Sequence, residues 1–117
     1  MTAEDQLLIG IGYCLLLFVF AFLFRKYQPK KINWLYGYRT TRSMRNDLIW
    51  QAANNYASNY LLKIAGYSFL IPAVLYFLFP EHNLLITIIL HSLGVISTLL
   101  VTELYLDKNF HSNGNPK

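Results

Sequence analysis

Charge is scarce in this sequence. Only 14% of its 117 residues are Asp, Glu, Lys or Arg, whereas 55% are hydrophobic. A soluble domain usually carries about a quarter charged residues, and a chain this short has too little interior to hide so much Leu, Ile, Phe and Tyr. Cysteine is nearly absent too. Cys14 stands alone, which rules out an intramolecular disulfide, and no Cys/His cluster has metal-ligand spacing. No metal or other cofactor is therefore expected. A soluble globular protein, a disordered chain and a disulfide scaffold are all disfavoured. With a mean hydropathy of +0.32, the sequence reads as a small, all-α integral membrane protein.

Leu7 to Phe24 is an 18-residue run without charge, close to the roughly 20 apolar residues that span a ~30 Å hydrocarbon core. Residues 61–79 and 84–102 form the second and third predicted spans. Lys63 near the start of the second can extend its ammonium to the headgroups. The short link from Pro80 to Asn83 makes these two helices an antiparallel hairpin. Residues 1–117 thus form a single membrane domain, with a basic loop and helix over 25–60 and a polar tail over 103–117. Asp107 to Lys117 reads as a frayed end. Cleavage of the first run as a signal peptide is not expected, because its leading flank holds Glu4 and Asp5 rather than basic residues.

Seven of the ten basic residues follow the first run, from Arg25 to Arg45, and none precedes it. By the positive-inside rule this loop is cytoplasmic, with the N-terminus outside and the C-terminus inside. The loop itself is too long for a simple connection. It holds Ile32, Trp34, Leu35, Tyr36, Tyr38 and Trp50, which argues against disorder. Gly37 between two tyrosines marks a turn of unusual backbone geometry. Ser43 is the expected N-cap of a helix over 44–60, with Asp47 in its first turn. At 100° per residue, Ile49, Ala52, Ala53, Tyr56, Ala57 and Tyr60 share one side. Asp47, Gln51, Asn54, Asn55, Ser58 and Asn59 share the other. An amphipathic helix lying at the cytoplasmic interface is expected. Its polar face lacks the Lys and Arg that recruit a helix to anionic lipid.

The run Asn33-Trp34-Leu35-Tyr36-Gly37-Tyr38-Arg39-Thr40, followed by Ser43, Asn46, Trp50 and Asn54, resembles the signature of the SdpI/YfhL family of bacterial membrane proteins. The likeness covers about residues 29 to 66 and the three-span arrangement. It implies a multi-pass protein of the bacterial inner membrane. The founding member is a longer immunity protein that guards cells against a secreted toxic peptide and also holds a cytoplasmic repressor at the membrane.

The residues themselves support two readings. Arg39, Arg42 and Arg45 lie at or before a helix N-terminus, where free amides favour anions and guanidinium adds paired hydrogen bonds. Asn46, Trp50 and Asn54, four apart, form one seam. Together with Asn33, Gly37, Thr40, Ser43 and Asp47, Arg39 and this seam make a candidate ligand site for a lipid headgroup, a toxic peptide or a cytoplasmic protein. Alternatively, Arg39 and the asparagines pin the loop to the helix by bonding backbone carbonyls.

Within the third span, Thr87, His91, Gly94, Thr98 and Thr102 form one polar or small stripe. Gly66, Ser68 and Pro72 do so in the second span, and Gly10, Cys14 and Ala21 in the first. The stripes read as helix-packing seams. Ionisable residues at mid-span are rare, so His91 stands out; it either bonds Tyr67, Ser68 or a carbonyl, or relays protons. Pro72 is expected to kink the second helix and free a carbonyl near Ser68. Glu103 and Asp107 are expected to face the loop arginines.

Three function classes follow. The first is an immunity- or signalling-type binding protein without catalytic residues. The second is a small transporter or channel, a homo-oligomer using His91, Thr87 and Thr98. The third is a lipid-modifying enzyme, which lacks a Ser/His/Asp order, a metal motif or a Gly-rich phosphate loop. Nucleic acid is not an expected partner, since a juxtamembrane basic segment accounts for the pI of about 9.3.

Overall fold

The computed structural model describes residues 1–117. It is all-helical: α1 (Ala3–Lys26), α2 (Asp47–Ser68), α3 (Leu70–Leu78), a 3-10 turn (Pro80–His82) and α4 (Asn83–Asn109). Three stretches are long and apolar enough to cross a membrane: Ala3–Lys26, Asp47–Leu78 and Pro80–Asn109. The molecule measures 53 × 24 × 19 Å, so its long axis exceeds a ~30 Å hydrocarbon core. The segment between α1 and α2 is hereafter the cap.

Helix α1 starts earlier than the apolar run because Thr2 Oγ1 accepts the Asp5 amide at 3.0 Å. Glu4 and Asp5 in its first turn and Arg25 and Lys26 in its last complement the helix dipole. Its buried positions are all small: Gly10, Cys14 and Ala21. Close backbone approach of this kind substitutes for the hydrophobic driving force that helices lack in lipid.

Three expectations need correction here. Residues 44–60 are not a separate interfacial helix; α2 runs unbroken through Ser68. Its buried residues are Ile49, Trp50, Ala53, Asn54, Ala57, Ser58, Leu61, Ala65 and Ser68. The buried face thus takes in Asn54 and Ser58 from the side read as polar. The reason is that donors meet them there: the Tyr38 amide of the cap bonds Asn54 Oδ1 at 2.7 Å, and Arg25 of α1 bonds Ser58 Oγ at 3.4 Å. The N-cap is Asn46, whose Oδ1 accepts the Ile49 amide at 2.9 Å, and not Ser43. Ser43 is taken up by a turn described below.

The chain does break near Pro72, three residues ahead of it, at Phe69. Proline has no N–H for the carbonyl four residues back, which is that of Ser68. The Cys14 thiol donates to this carbonyl instead, at 3.5 Å. At the same end of the bundle, Gln6 bridges the hairpin turn. Its amide donates to Glu81 O at 3.0 Å and its carbonyl accepts the Leu84 amide at 3.2 Å.

The polar tail is the third correction. Helix α4 continues to Asn109, and the following residues fold back rather than fray. Phe110 pairs with Pro116, His111 N donates to Asn115 O at 2.7 Å, and Asn46 Nδ2 donates to Gly114 O at 3.2 Å. Phe110 is buried with Ile49, Ala53 and Leu106. The tail therefore seals the start of α2. Of the two acids expected to pair with the loop arginines, Asp107 does so, with Arg42 at 3.1 Å, whereas Glu103 accepts from the Tyr38 hydroxyl instead. Arg42 and Asp107 are both solvent-accessible, so their pair contributes about 0–1 kcal/mol.

Candidate functional site

The cap is a loop folded by side-chain hydrogen bonds. Asn33 Oδ1 accepts the amides of Leu35 (3.0 Å) and Tyr36 (2.9 Å), which turns the chain. Gly37 follows with φ of 110°, in the left-handed region that favours glycine. A Cβ there would lie 2.7 Å from Pro29 Cγ, 2.8 Å from Asn54 Oδ1 and 3.2 Å from Trp50 Cζ2. Thr40 and Ser43 then close on each other. Thr40 N donates to Ser43 Oγ at 2.8 Å and Ser43 N to Thr40 Oγ1 at 3.1 Å, while Ser43 Oγ donates to Tyr38 O at 3.0 Å.

Helix α2 anchors this loop through the seam read from the sequence. Trp50 is fully buried and its Nε1–H donates to Pro29 O at 2.7 Å. Asn54, equally buried, accepts the Tyr38 amide at 2.7 Å and donates to Trp50 O at 2.9 Å. Asn46 caps α2 and holds the tail. The seam exists, but its groups are already bonded: Trp50 and Asn54 to the cap, Asn46 to the tail. Asp47 is exposed on the first turn of α2.

Arg39 is the one charged residue of the signature. It is exposed, and its guanidinium makes no hydrogen bond or ion pair within the protein. It stands at the mouth of an apolar groove of about 750 Å³. The walls are Phe20, Leu23, Phe24 and Tyr27 of the α1 end, Ala57 and Leu61 of α2, and Val95, Thr98 and Leu99 of α4; Tyr36 to Thr40 form the roof. Phe20, Leu23 and Leu99 are exposed at its rim, so the groove opens sideways. Thr98 is buried, yet its Oγ1 has no partner. The groove thus combines an apolar trough with one uncompensated cation at its edge.

Tyr38 fixes the roof to α4. Its hydroxyl donates to Glu103 Oε1 at 2.8 Å and lies 3.2 Å from Leu99 O. Burial, then the hydrogen bond to the Glu103 carboxylate and its charge, push the Tyr38 phenol well above its usual range. A phenol raised on folding stabilises fully below its ordinary pKa and loses that contribution as pH climbs through the folded value. Stability of the wild type should therefore fall more steeply above about pH 10 than that of Tyr38→Phe. Thermal melts over an alkaline pH series measure this, and parallel profiles for the two proteins would contradict it.

The intramembrane polar residues face the bundle interior. Asn83, Thr87, His91, Thr98 and Thr102 are all buried on α4, and each has at least one polar side-chain atom without a protein partner. His91 bonds neither Tyr67 nor Ser68. Instead, its ring meets the Tyr13 ring edge-on, with centroids 4.5 Å apart, and both its nitrogens are unpartnered. An unsatisfied buried polar group costs about 1–3 kcal/mol. His91→Leu, which removes that cost at similar volume, is expected to raise the unfolding midpoint in detergent; a lower midpoint would show that the imidazole has a partner worth keeping.

Sequence reasoning missed the groove and the tail. The groove has no local signature, since its walls come from three helices and a loop. The tail did carry a signal. Asn113-Gly114 is a strong turn dipeptide, and Gly114 takes φ of 93°.

Helices that bury only narrow seams, joined to a folded basic cap, define a three-span membrane protein with an amphiphilic groove under its first loop. The model of the SdpI/YfhL protein family matches residues 30–102. The chain is also 32% identical over 110 residues to the uncharacterized protein YfhL of Bacillus subtilis (strain 168), covering 94% of each chain. It belongs to the SdpI/YfhL family. No solved structure matches it.

Proposed function

We propose that this chain is an immunity-type binding protein of the bacterial inner membrane, with its cap on the cytoplasmic side and its groove occupied by an anionic lipid. Arg39 carries the reading: an exposed, unpaired guanidinium at the edge of an apolar trough. Such a place fits an amphiphile whose chain lies in the groove and whose phosphate takes paired hydrogen bonds from the guanidinium. A toxic peptide entering from the bilayer would compete for the same trough, which links lipid binding to immunity. Positive charge concentrated from Arg25 to Arg45 supports the orientation.

The test is retention of phosphatidylglycerol by purified protein in phosphatidylcholine nanodiscs. Arg39→Ala is expected to weaken retention at the groove about tenfold or more, and Arg39→Lys less, because lysine keeps the charge but loses the fork. Since Arg39 bonds nothing within the protein, the thermal midpoint should hold in both. Unchanged lipid retention in Arg39→Ala would end the lipid reading. Expression in a strain sensitive to the toxic peptide tests protection separately; survival equal to that of an empty-vector control would remove immunity.

A further inference from the structure

A second cleft, of about 360 Å³, shares no residue with the groove. It lies at the last turn of α1 and the start of the cap, opposite the Gln51–Asn55 turn of α2. None of its lining residues is hydrophobic or acidic, and three carry positive charge: Arg25, Lys26 and Lys30. Arg25 is held in place by neutral acceptors alone. Its Nη1 donates to Asn55 Oδ1 at 2.6 Å, to Asn55 O at 3.3 Å and to Ser58 Oγ at 3.4 Å, where Ser58 is itself fully buried. The protein's one ion pair, Arg42–Asp107, lies elsewhere, so none of these three charges is neutralised internally. Gln28 and Gln51 spend their amide N–H groups on the carbonyls of Arg25 and Lys30, at 3.2 Å each. Their side-chain oxygens remain uncommitted.

A guanidinium positioned in advance by uncharged groups, two further cations and two free acceptor oxygens form a matched set for one chemistry. We infer that this cleft binds a phosphate ester whose head carries hydroxyl groups. The cations take the phosphate, and the oxygens of Gln28 and Gln51 accept from the hydroxyls. No hydrophobic side chain lines the cleft, so it offers a hydrocarbon chain no apolar residue to pack against. Its position at the end of a span puts it at headgroup depth, where a glycerol phosphate head enters while its chains stay in the bilayer. A soluble glycerol phosphate offers the same chemistry.

The full chain decides between these sources in two arms. One counts phosphatidylglycerol molecules retained in phosphatidylcholine nanodiscs, by native mass spectrometry. The other titrates glycerol 3-phosphate calorimetrically in detergent. Lys26 and Lys30 are exposed, so Lys26→Gln/Lys30→Gln is expected to keep the fold by circular dichroism. Losing two juxtamembrane cations should weaken binding about 20- to 30-fold, and added salt should weaken the wild type as well. Binding that the double variant loses in the lipid arm alone assigns the cleft to a headgroup; such a loss in the soluble arm alone assigns it to a free ester. Because the groove is a separate site, Arg39→Ala should leave one class of binding intact. Full binding in the double variant, or loss of all binding in Arg39→Ala, would overturn the inference.

Discussion

Gly37→Ala is expected to open the cap while leaving the three crossings helical. Two costs add. The residue sits at φ of 110°, where a side chain brings strain of about 1–3 kcal/mol. The new methyl would also meet Pro29, Asn54 and Trp50 at 2.7, 2.8 and 3.2 Å. These are not the flexible ends of surface side chains. Asn54 and Trp50 are fully buried and hydrogen-bonded, and proline is a rigid ring, so the clash adds about 1–3 kcal/mol more. The measurement is hydrogen exchange at the Tyr38 amide, whose acceptor is Asn54 Oδ1. A combined loss near 3 kcal/mol raises its exchange about 100-fold. Protection equal to wild type would mean that the turn is not built this way.

Trp50→Ala should be of similar size. The indole is fully buried and its N–H closes on Pro29 O at 2.7 Å. Removing a buried tryptophan costs about 3–5 kcal/mol, and here it also strands a carbonyl. Trp50→Phe separates the two parts, since it retains most of the apolar volume and loses only the donor, for about 1–3 kcal/mol. Exchange at Tyr38 should rank wild type, Phe, Ala from slow to fast. If Phe matched Ala, hydrogen bonding and not packing would hold the cap; if Phe matched wild type, Pro29 O would be content without the indole.

Both sites show what a linear reading can and cannot reach. The three crossings were legible because their signal is a run of apolar residues, and a run is local. Their ends were less so. Ala3 to Gln6 and Glu103 to Asn109 are helical through capping and backbone continuity, to which hydropathy is blind. The change from amphipathic to apolar pattern near Tyr60 looked like a boundary between two helices. Backbone hydrogen bonding is indifferent to that change, and the chain breaks only where Pro72 withholds a donor from Ser68. Ser43 and Asn46 are equally good caps by residue type. Thr40 decides between them by engaging Ser43 first. The spacing of Asn46, Trp50 and Asn54 correctly placed them on one seam. Which way that seam faced depended on Pro29 and Gly37, far along the chain, and no local pattern encodes it. That is why Trp50 and Asn54 are spent on the cap while the Arg39 guanidinium stays free.

The two indoles of this protein live in opposite surroundings: Trp50 is sealed, while 80% of Trp34 is exposed. Trp34→Phe therefore leaves a molecule whose whole tryptophan emission comes from inside the latch. Blue-shifted light would signal a closed roof and a red shift its release, in intact bilayers and without any attached dye. Adding lipid or peptide to that variant would turn occupancy of the trough into a spectrum that can be followed in real time.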